Sequence, residues 1–241
     1  MSGERRLRIL AKLVDPVPPE TETKRLCRVC AEVTGVSGAG IMLASDDGSR
    51  GSVCTTDKVS ALVEELQFEL GEGPCIDACQ QDRPVLEPDL AAPVTPRWLA
   101  FTGPAVDAGV GAIFGFPLHI GAVRLGALNL YCERPGSLTD EQHLDALVMA
   151  DVAALAVLMM QANAPAGQLA VELEAGSNFQ NVVHQASGMV AAQLSVSVGQ
   201  ALVRLRAYAF GNERPLAAVA EAVVGRSIRF DEHSGERDPR P

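Results

Sequence analysis

Arginine, amide and tyrosine side chains gather near the end of this 241-residue chain. Guanidinium groups and an aromatic ring can stack on nucleic-acid bases, amides can read base edges, and cations pair with phosphates. Helical spacing places Gln200, Arg204 and Tyr208 on one outward line, because residues four apart share a helix face. The full set of candidate residues is His184, Gln185, Ser187, Gln200, Arg204, Arg206, Tyr208 and Arg214. This mixture predicts a surface for the looped-out bases and phosphates of RNA.

The charge distribution singles out the same stretch. Residues 179–230 carry five arginines and two glutamates, a net charge of +3, whereas the whole chain has a formal charge of −10. A locally basic patch on an acidic protein can still bind nucleic acid by releasing counterions from the phosphates. Two plainer interpretations stay open: the arginines belong to an ordinary solvated helix face, and Tyr208 covers a neighbouring helix.

Cysteines are the second residue type that could do chemistry, and all six lie in the first 132 residues. The chain has no apolar run typical of a secretory signal, so free thiols are expected. Cys27 and Cys30 have the spacing of a redox or metal pair, but they sit in a helical apolar pattern and no second pair accompanies them. We therefore expect a packed helix there and no metal site. Cys75 and Cys79 follow a Gly-Pro turn, and this loop placement makes them better candidates for chemistry.

A small-molecule pocket is harder to read from the sequence. Five residues could line one: Cys54, Cys75, Trp98, Phe114 and Phe116. The aromatic residues could instead fill an ordinary core, which is the simpler interpretation, and the thiols could sense oxidants or hold a chromophore. No nucleophile–base motif, P-loop or dinucleotide fingerprint is present, so the sequence indicates no catalytic residue and identifies no cofactor.

The elements that position these residues follow from turns and periodicity. Residues 1–19 form a predicted arm, and a helix is expected over residues 20–34 with Gly35 as its left-handed cap. The predicted strands are Gly40–Ala44, Ser52–Thr55, Val85–Glu87, Ala112–Leu118 and Arg124–Tyr131. Sequential antiparallel strands with helices before and after them make residues 20–160 an α+β domain, with the helices gathered on one face of the sheet.

The long helix that begins after Thr139 is almost apolar all round from Ala146 to Met160. A bilayer span takes about 20 apolar residues. This segment has 15 and contains Asp151, so a buried helix of a soluble, cytoplasmic protein is expected. One stripe can pack on the sheet, but the opposite stripe needs another partner. The same helix of a second protomer is the simplest partner, which predicts a parallel homodimer.

Three helices are expected over residues 179–230, after a linker or connector helix at 161–178 and before a flexible tail at 231–241. The second helix opens with a capping box between Ser197 and Gln200, whose side chains satisfy backbone donors at the helix start. Three short helices make a marginal core, so we expect support from the connector or from a dimer partner.

Three runs within residues 179–230 agree in residue types and order with a known family. They extend from His184 to Val190, from Ser197 to Phe210 and from Arg214 to Ala220. In these runs the segment resembles the ANTAR domain, a three-helix RNA-binding module that binds paired hairpin loops in leader transcripts and prevents transcription termination. Many members have a lysine at the position of Ser187 and a phenylalanine at that of Leu202. The resemblance implies an RNA partner.

Two features of residues 20–160 are typical of a sensor fold. They are the run Gly71-Glu72-Gly73-Pro74-Cys75 and the paired strands that end at Leu128-Asn129-Leu130-Tyr131. In both, the segment resembles a GAF domain, which senses small molecules or redox signals, and GAF followed by ANTAR is an actinobacterial type of arrangement. The resemblance implies an N-terminal antiparallel sheet with flanking helices and a C-terminal all-α three-helix bundle. It also implies a sensor-regulated transcription antiterminator that is not an enzyme.

Two other functions stay open. Some GAF folds reduce free methionine sulfoxide with loop cysteines, and Cys54, Cys75 and Cys79 could be placed likewise, although no cation beside Cys75 would depress its pKa. Short helical modules also enter the major groove of DNA. Against this, the connection from Phe210 to Arg214 is longer and more charged than in a compact helix-turn-helix.

Overall fold

The computed structural model describes residues 2–14, 21–44, 50–163 and 178–231. The first three of these ranges form one compact unit, and the last range forms a second. The segment between the first two predicted strands at residues 45–49, most of the predicted connector and most of the predicted tail lie outside the described residues.

The described elements of the first unit alternate between helices and strands. In chain order they are α1 (Ser2–Val14), α2 (Glu22–Thr34), β1 (Gly38–Ala44), β2 (Arg50–Thr55), α3 (Lys58–Leu70), α4 (Pro74–Gln81), β3 (Val85–Glu87), α5 (Leu99–Asp107), β4 (Ala112–Ile120), β5 (Val123–Cys132) and α6 (Asp140–Asn163). The second unit contains α7 (Asn178–Leu194), α8 (Val198–Gly211) and α9 (Leu216–Val224). The predicted α+β domain and three-helix bundle are confirmed.

The strands form one antiparallel sheet in the order β2-β1-β5-β4-β3. Nearly every residue in the middle of β4 and β5 is buried, so both faces of the sheet must be covered. Helices α1, α2 and α6 pack on one face, and α3, α4 and α5 pack on the other. The prediction that the helices gather on one face is therefore wrong, because two strands buried on both sides leave neither face to solvent.

Helix α1 occupies residues 2–14, so the prediction of an arm is wrong for this segment. Ile9 is fully buried in the core beside α2 and α6. Arg5 and Arg8 both donate to the carboxylate of Asp145 on α6, and Arg8 Nη2 lies 2.7 Å from Asp145 Oδ1. Asp145 is itself buried, so these ion pairs hold α1 against α6. The prolines that follow α1 indicate where a helix must end, but they give no sign of what precedes them.

Helix α6 is the long apolar helix expected from the sequence. Its span Asp140–Met160, with a mean hydropathy of 1.8, is long and apolar enough to cross a membrane, and among the described residues the bent pair α7–α8 passes the same test. Ala146, Met149 and Ala153 of α6 are fully buried in the core of the first unit. The opposite side of α6 carries large apolar side chains that are 37% to 56% exposed, namely Leu144, Leu147, Leu155, Leu158 and Met159. The helix therefore packs through one stripe and leaves another uncovered.

A disulfide joins Cys27 of α2 to Cys54 of β2, so the prediction of free thiols is wrong for this pair. The two residues are 27 positions apart in sequence, and nothing in their spacing indicates that α2 packs over β2. A crosslink that closes a loop of this length stabilises the fold by about 3–4 kcal/mol, mainly by restricting the unfolded chain. Cys75 and Cys79 lie in helix α4, which corrects their predicted placement in a loop.

Helices α7, α8 and α9 each bury one apolar stripe. The buried apolar residues are Val183, Ala186, Val190, Leu194, Ala201, Leu202, Leu205, Ala209, Leu216, Val219, Ala220 and Val223. The capping box is present: the Ser197 N–H donates to Gln200 Oε1 at 3.1 Å, and the Gln200 N–H donates to Ser197 Oγ at 3.3 Å. This small core fixes which residues of α8 reach solvent.

Replacing Asp145 by Asn should loosen α1, because two guanidinium groups lose their anionic partner at a buried position. We expect the free energy of unfolding to fall by about 1–3 kcal/mol, with faster amide exchange in α1. Urea unfolding and hydrogen exchange measure the two effects. The control is Asp107→Asn at the exposed end of α5, and an equal loss in both variants would contradict the anchoring role of Asp145.

Candidate nucleic-acid interface and buried polar cluster

Helix α8 turns one continuous face toward solvent. Gln200 and Arg204 are exposed on this face, as the sequence predicts. Two apolar side chains share it: Val203 is 61% exposed and Phe210 is 74% exposed. An aromatic ring left in water beside cations is suited to stacking on an unpaired base.

Phe210 is the candidate residue that the sequence prediction missed. It follows Arg206 by four residues in α8 and precedes Arg214 by four across the turn to α9. Both arginines therefore flank Phe210 along the chain. Arg214 is exposed and Arg206 is half-buried. The signal that could have found Phe210 is its position off the buried stripe of α8, since an aromatic residue off the stripe must face solvent or another partner.

Gln200 has less capacity to read bases than its exposure suggests. Its side-chain oxygen accepts the Ser197 N–H and so belongs to the helix cap. The oxygen keeps one acceptor site and the amide NH₂ group keeps its donors, but the cap holds the side chain at the start of the helix. The Gln200 side chain therefore caps the start of α8 and also borders the candidate interface.

Tyr208 is half-buried, and its ring packs edge-on against the ring of Phe230 with the centroids 5.4 Å apart. Phe230 is itself held in place, because its N–H donates to Gln193 Oε1 on α7 at 2.9 Å. The tyrosine thus covers another part of its own unit, as the plainer interpretation proposes. Its ring is less available for base stacking than that of Phe210.

Ser187 is fully buried, so the prediction that it faces RNA is wrong. Val183, Ser187 and Val190 are spaced four and three residues apart, which places the serine on the core face of α7. Its hydroxyl donates to the Val183 carbonyl oxygen at 2.8 Å and needs no ligand. Gln185 is exposed and His184 is half-buried, so these two residues stay candidates for RNA contact.

The sheet separates the five residues proposed to line a pocket. Phe114, Phe116 and Cys54 pack on the face covered by α2 and α6. Cys75 and Trp98 belong to clusters on the opposite face. All five are buried, and they do not share one site, because the sheet lies between the two groups.

A buried polar cluster lies on the face covered by α3 and α4. Asn129 of β5 is paired in register with Gly40 of β1 on one side and Gly115 of β4 on the other. A Cβ atom at position 40 would stand 2.7 Å from Glu64 Oε1, and one at position 115 would stand 2.5 Å from the Pro74 carbonyl oxygen. The two glycines therefore let α3 and α4 approach the sheet and close over Asn129.

Helix α3 adds Glu64 and Gln67 to this cluster, and neither they nor Asn129 exceed 2% exposure. Gln67 Oε1 accepts the Cys75 N–H at 2.8 Å, which ties α3 to the start of α4. Five buried atoms of the cluster lack a well-aligned hydrogen-bond partner: both carboxylate oxygens of Glu64, Nε2 of Gln67, and Nδ2 and Oδ1 of Asn129. The Asn129 amide is nevertheless close enough to Glu64 to lower its pKa. Buried polar atoms are nearly always paired in folded proteins, so this concentration calls for an explanation.

Burial raises the pKa of Glu64 to about 8, and the nearby Asn129 amide offsets only part of that effect. Burial, together with the charge of Glu64, also raises the pKa of the Cys75 thiol well above its usual value. The pKa values of Cys30 and Cys132 are raised by burial as well. A nucleophilic thiol needs a lowered pKa, so none of these three cysteines is activated.

An open cleft of about 410 Å³ lies where α2, the end of β2 and the start of α3 meet. Lys24, Arg28 and Lys58 line it together with Asp57. The Asp57 carboxylate accepts two backbone N–H groups at the start of α3 and so caps that helix. None of the residues that line the cleft belongs to the buried cluster or to the second unit.

Comparison with known proteins assigns both units. A family model described as a GAF domain matches residues 18–158, more than half of the chain. A second model, described as an ANTAR domain, matches residues 172–224. No protein with a curated description matches the chain.

Solved structures show the same fold for the first unit. The GAF domain of a phosphoenolpyruvate-protein phosphotransferase from Coxiella burnetii aligns with a TM-score of 0.51 at 15% identity, covering 67% of this chain and 95% of that chain. The GAF domain of the Acinetobacter enzyme of the same name has a TM-score of 0.51 at 13% identity, covering 67% and 96%. A type II free methionine-R-sulfoxide reductase from Thermoplasma acidophilum, with a TM-score of 0.44 at 15% identity and coverage of 66% and 95%, is too distant to bear on activity.

The raised pKa of Glu64 makes stability depend on pH. The folded state keeps the proton up to about pH 8, whereas the unfolded chain loses it near 4.5, so stability falls as pH rises through this window. We expect the total loss to be up to about 4 kcal/mol. Replacing Glu64 by Gln should remove it, because glutamine has no proton to lose.

Urea unfolding from about pH 5 to about pH 9 measures this dependence. The surface variant Glu133→Gln is the control and should keep the pH dependence of the original protein. Parallel curves for the original protein and Glu64→Gln would contradict the role given to Glu64.

Proposed function

The chain belongs to the GAF domain family, and on this premise we propose that it is a sensor-regulated, RNA-binding transcription antiterminator. A GAF domain is a sensor module, and the ANTAR domain that follows it here is an RNA-binding antitermination module. In this proposal the second unit binds hairpin loops of leader transcripts, and the GAF domain adjusts that binding in response to a small-molecule or redox signal.

The exposed face of α8 is the observation that carries the proposal. Arg204 is in solvent, and Phe210 presents most of its ring to solvent on the same helix. A single exposed apolar side chain is common on soluble proteins, but here a large aromatic ring shares one helix face with a cation, and this combination supports a partner that uses both. Unpaired bases and phosphates of an RNA loop are the partner that uses both kinds of group.

Each residue of the proposed interface has a distinct part. Arg204, Arg206 and Arg214 pair with phosphates, and Phe210 stacks on a base. Edge contacts come from His184, Gln185 and the amide NH₂ of Gln200, while Tyr208 supports the surface through Phe230. Ser187 lies in the core of the unit and has no direct part.

A parallel homodimer would present two such surfaces together. The uncovered stripe of α6, with Leu155 and Leu158 near its end, supports this arrangement because it leaves large apolar side chains in water. Helix α1 adds a second exposed apolar row at Leu7, Leu10 and Val14. Two linked RNA-binding modules raise the local concentration of each loop-binding site for a transcript that carries two hairpins.

Regulation is favoured over enzymatic activity by the state of the thiols. A GAF-type sulfoxide reductase needs a reactive cysteine, but Cys54 is held in a disulfide and Cys75 is fully buried with its pKa raised. Regulation of nascent transcripts places the protein in the cytoplasm. In this proposal the apolar helix α6 serves as a core and dimer helix and does not cross a membrane.

Replacing Arg204 or Arg206 by Ala should weaken binding to a leader hairpin and lower the slope of log affinity against log salt by about one for each phosphate that no longer has a cationic partner. Replacing Phe210 by Ala should cost about 1–3 kcal/mol of binding free energy and leave that slope unchanged, because stacking releases no counterions. Hairpins recovered by crosslinking the protein to RNA in its own cells are the ligands, and titrations at several salt concentrations are the measurement.

Arg229→Ala is the matched control for charge, because it removes the same single positive charge outside α8. Arg229 Nε lies 3.5 Å from Asp231 Oδ1. Equal loss of hairpin affinity in Arg204→Ala and Arg229→Ala would mean that binding depends on overall positive charge and not on the exposed face of α8. Tighter binding of duplex DNA than of the hairpin would refute the antiterminator proposal in favour of a DNA-binding regulator.

The double change Leu155→Glu and Leu158→Glu should convert the proposed dimer to a monomer, because four charges would be buried where the two α6 helices meet. Sedimentation velocity at micromolar concentration measures the change. Val94→Glu is the control, since Val94 is fully exposed in the loop before α5 and its substitution should leave the dimer intact. A monomeric original protein would end the dimer proposal.

A further inference from the structure

The disulfide between Cys27 and Cys54 is unusual for the compartment that the proposed function requires. It joins the middle of α2 to the end of β2, and β2 is the edge strand of the sheet. A protein that acts on nascent transcripts works in the cytoplasm, where structural disulfides are rare and those that form are usually transient or redox-sensing. A disulfide in such a protein is therefore expected to open and close in use.

We propose that this disulfide is a reversible redox site, and that the open cleft beside it receives the small anionic thiol with which the disulfide exchanges. The use of the site as the signal of the GAF domain rests on the proposed function. The exchange itself rests on the disulfide and the cleft.

The cleft borders the disulfide through the chain neighbours of both cysteines. Arg28 directly follows Cys27 and lines the cleft, and Thr55 directly follows Cys54 and lines it as well. Lys24, also in the lining, precedes Cys27 by three residues and so lies on the neighbouring turn of α2. The disulfide thus joins two walls of the cleft. Cys54 is 6% exposed and Cys27 is fully buried, so a thiol from solvent reaches the Cys54 sulfur first.

Positive side chains give the cleft a preference for anions. Lys24, Arg28 and Lys58 line it with a single carboxylate, that of Asp57. Asp57 accepts two backbone N–H groups and is held in the cap of α3. Arg28 pairs with Glu32 at 2.6 Å, whereas Lys24 and Lys58 are exposed and form no ion pair with any residue that the structure describes. A local excess of positive charge raises the concentration of anions beside it.

The exchange needs only the thiol as reductant and the disulfide of that thiol as oxidant. A thiolate attacks the Cys54 sulfur and forms a new S–S bond, while the bond to Cys27 breaks and its electron pair leaves on the Cys27 sulfur, which takes up a proton. A second thiolate attacks the sulfur of the first and releases Cys54, which is protonated in turn. Two thiols become one disulfide and the protein gains two thiols, and the reverse reaction restores the crosslink. Cations beside Cys27 favour this step, because they stabilise a departing thiolate.

The exchange stays with this pair of cysteines because other thiols of the first unit are unreactive. Burial raises the pKa values of Cys30, Cys75 and Cys132. A thiol with a raised pKa forms little thiolate at neutral pH and attacks disulfides slowly. Cys30, three residues after Cys27 in α2, therefore does not displace either member of the pair.

Reduction should release β2 at the edge of the sheet. Ile41 pairs with Cys54 and Met42 pairs with Ser52, so Val53 is left over as a bulge immediately before the disulfide. The ladder is already irregular at this point, and the crosslink ties the end of the strand to α2. We expect amide hydrogens of β2 to exchange at least about tenfold faster in the reduced protein.

Two thiols test the cleft on the full chain: mercaptosuccinate, which is anionic, and 2-mercaptoethanol, which is uncharged. We expect the double change Lys24→Gln and Lys58→Gln to slow reduction by mercaptosuccinate about tenfold at low salt. Reduction by 2-mercaptoethanol should stay nearly unchanged. Comparing each thiol with itself on the two proteins cancels the difference in intrinsic reactivity between the thiols. Alkylation at timed intervals followed by mass spectrometry measures the rates.

The matched control is the double change Arg83→Gln and Arg124→Gln, which removes two exposed positive charges outside the cleft and should leave both rates as they are. Equal rates of mercaptosuccinate reduction in the original protein and the lysine variant would overturn the role of the cleft. Reduction only as fast as global unfolding, whatever the charge of the thiol, would make the disulfide a structural crosslink and overturn the proposal. Resistance of the disulfide to both thiols would do so as well.

Titration of the oxidised and the reduced protein with the leader hairpin separates this inference from the proposed function. Cys27→Ser with Cys54→Ser supplies a form that cannot be oxidised at this site. A difference in hairpin affinity of at least about fivefold supports the disulfide as the signal, and equal affinities would overturn that assignment. Charge-dependent reduction without hairpin binding in either state would retain the redox site and reject the antiterminator. Hairpin binding without charge-dependent reduction would retain the antiterminator and reject the site.

Discussion

The central strands β5 and β4 carry buried side chains on both faces, and the architecture of the first unit follows from that burial. A strand of this kind cannot lie at the surface of a two-layer domain, so helices must cover the sheet twice. Leu128 and Leu130 meet α2 and α6 on one side, while Tyr131 and Ile113 meet α3, α4 and α5 on the other. The disulfide from Cys27 to Cys54 and the arginine pair on Asp145 then fix the outer elements on one face.

The face covered by α3 and α4 buries polar side chains as well as apolar ones, notably around Asn129. Asn129 stands between two glycines where an apolar residue would fill the core, and Glu64 and Gln67 close over it. Replacing buried polar groups by apolar ones of similar size is often neutral or stabilising. The carboxylic acid and the two amides buried here therefore do not stabilise the fold as an apolar core would.

The second unit has a small core, and the residues proposed to contact RNA lie on its surface. Its helices bury alanine and valine more than large side chains, whereas Phe210 and Val203 stay in water. The capping box of Ser197 and Gln200 fixes the start of α8, and the contact of Tyr208 with Phe230 closes one side of the bundle. The proposed antiterminator thus combines a sensor built on long-range burial with an output module built on local helix signals.

Local signals in the sequence determined much of this protein. Periodicity and caps located α2, β4, β5 and the three helices of the second unit, because such patterns act over one or two turns of chain. They also identified Arg204 and Gln200 as exposed. Packing between distant segments decided the rest: it brought Cys27 to Cys54 and enclosed Glu64 over Asn129. Periodicity defines a face only relative to the axis of its own element, and only the tertiary fold determines which neighbour that face meets.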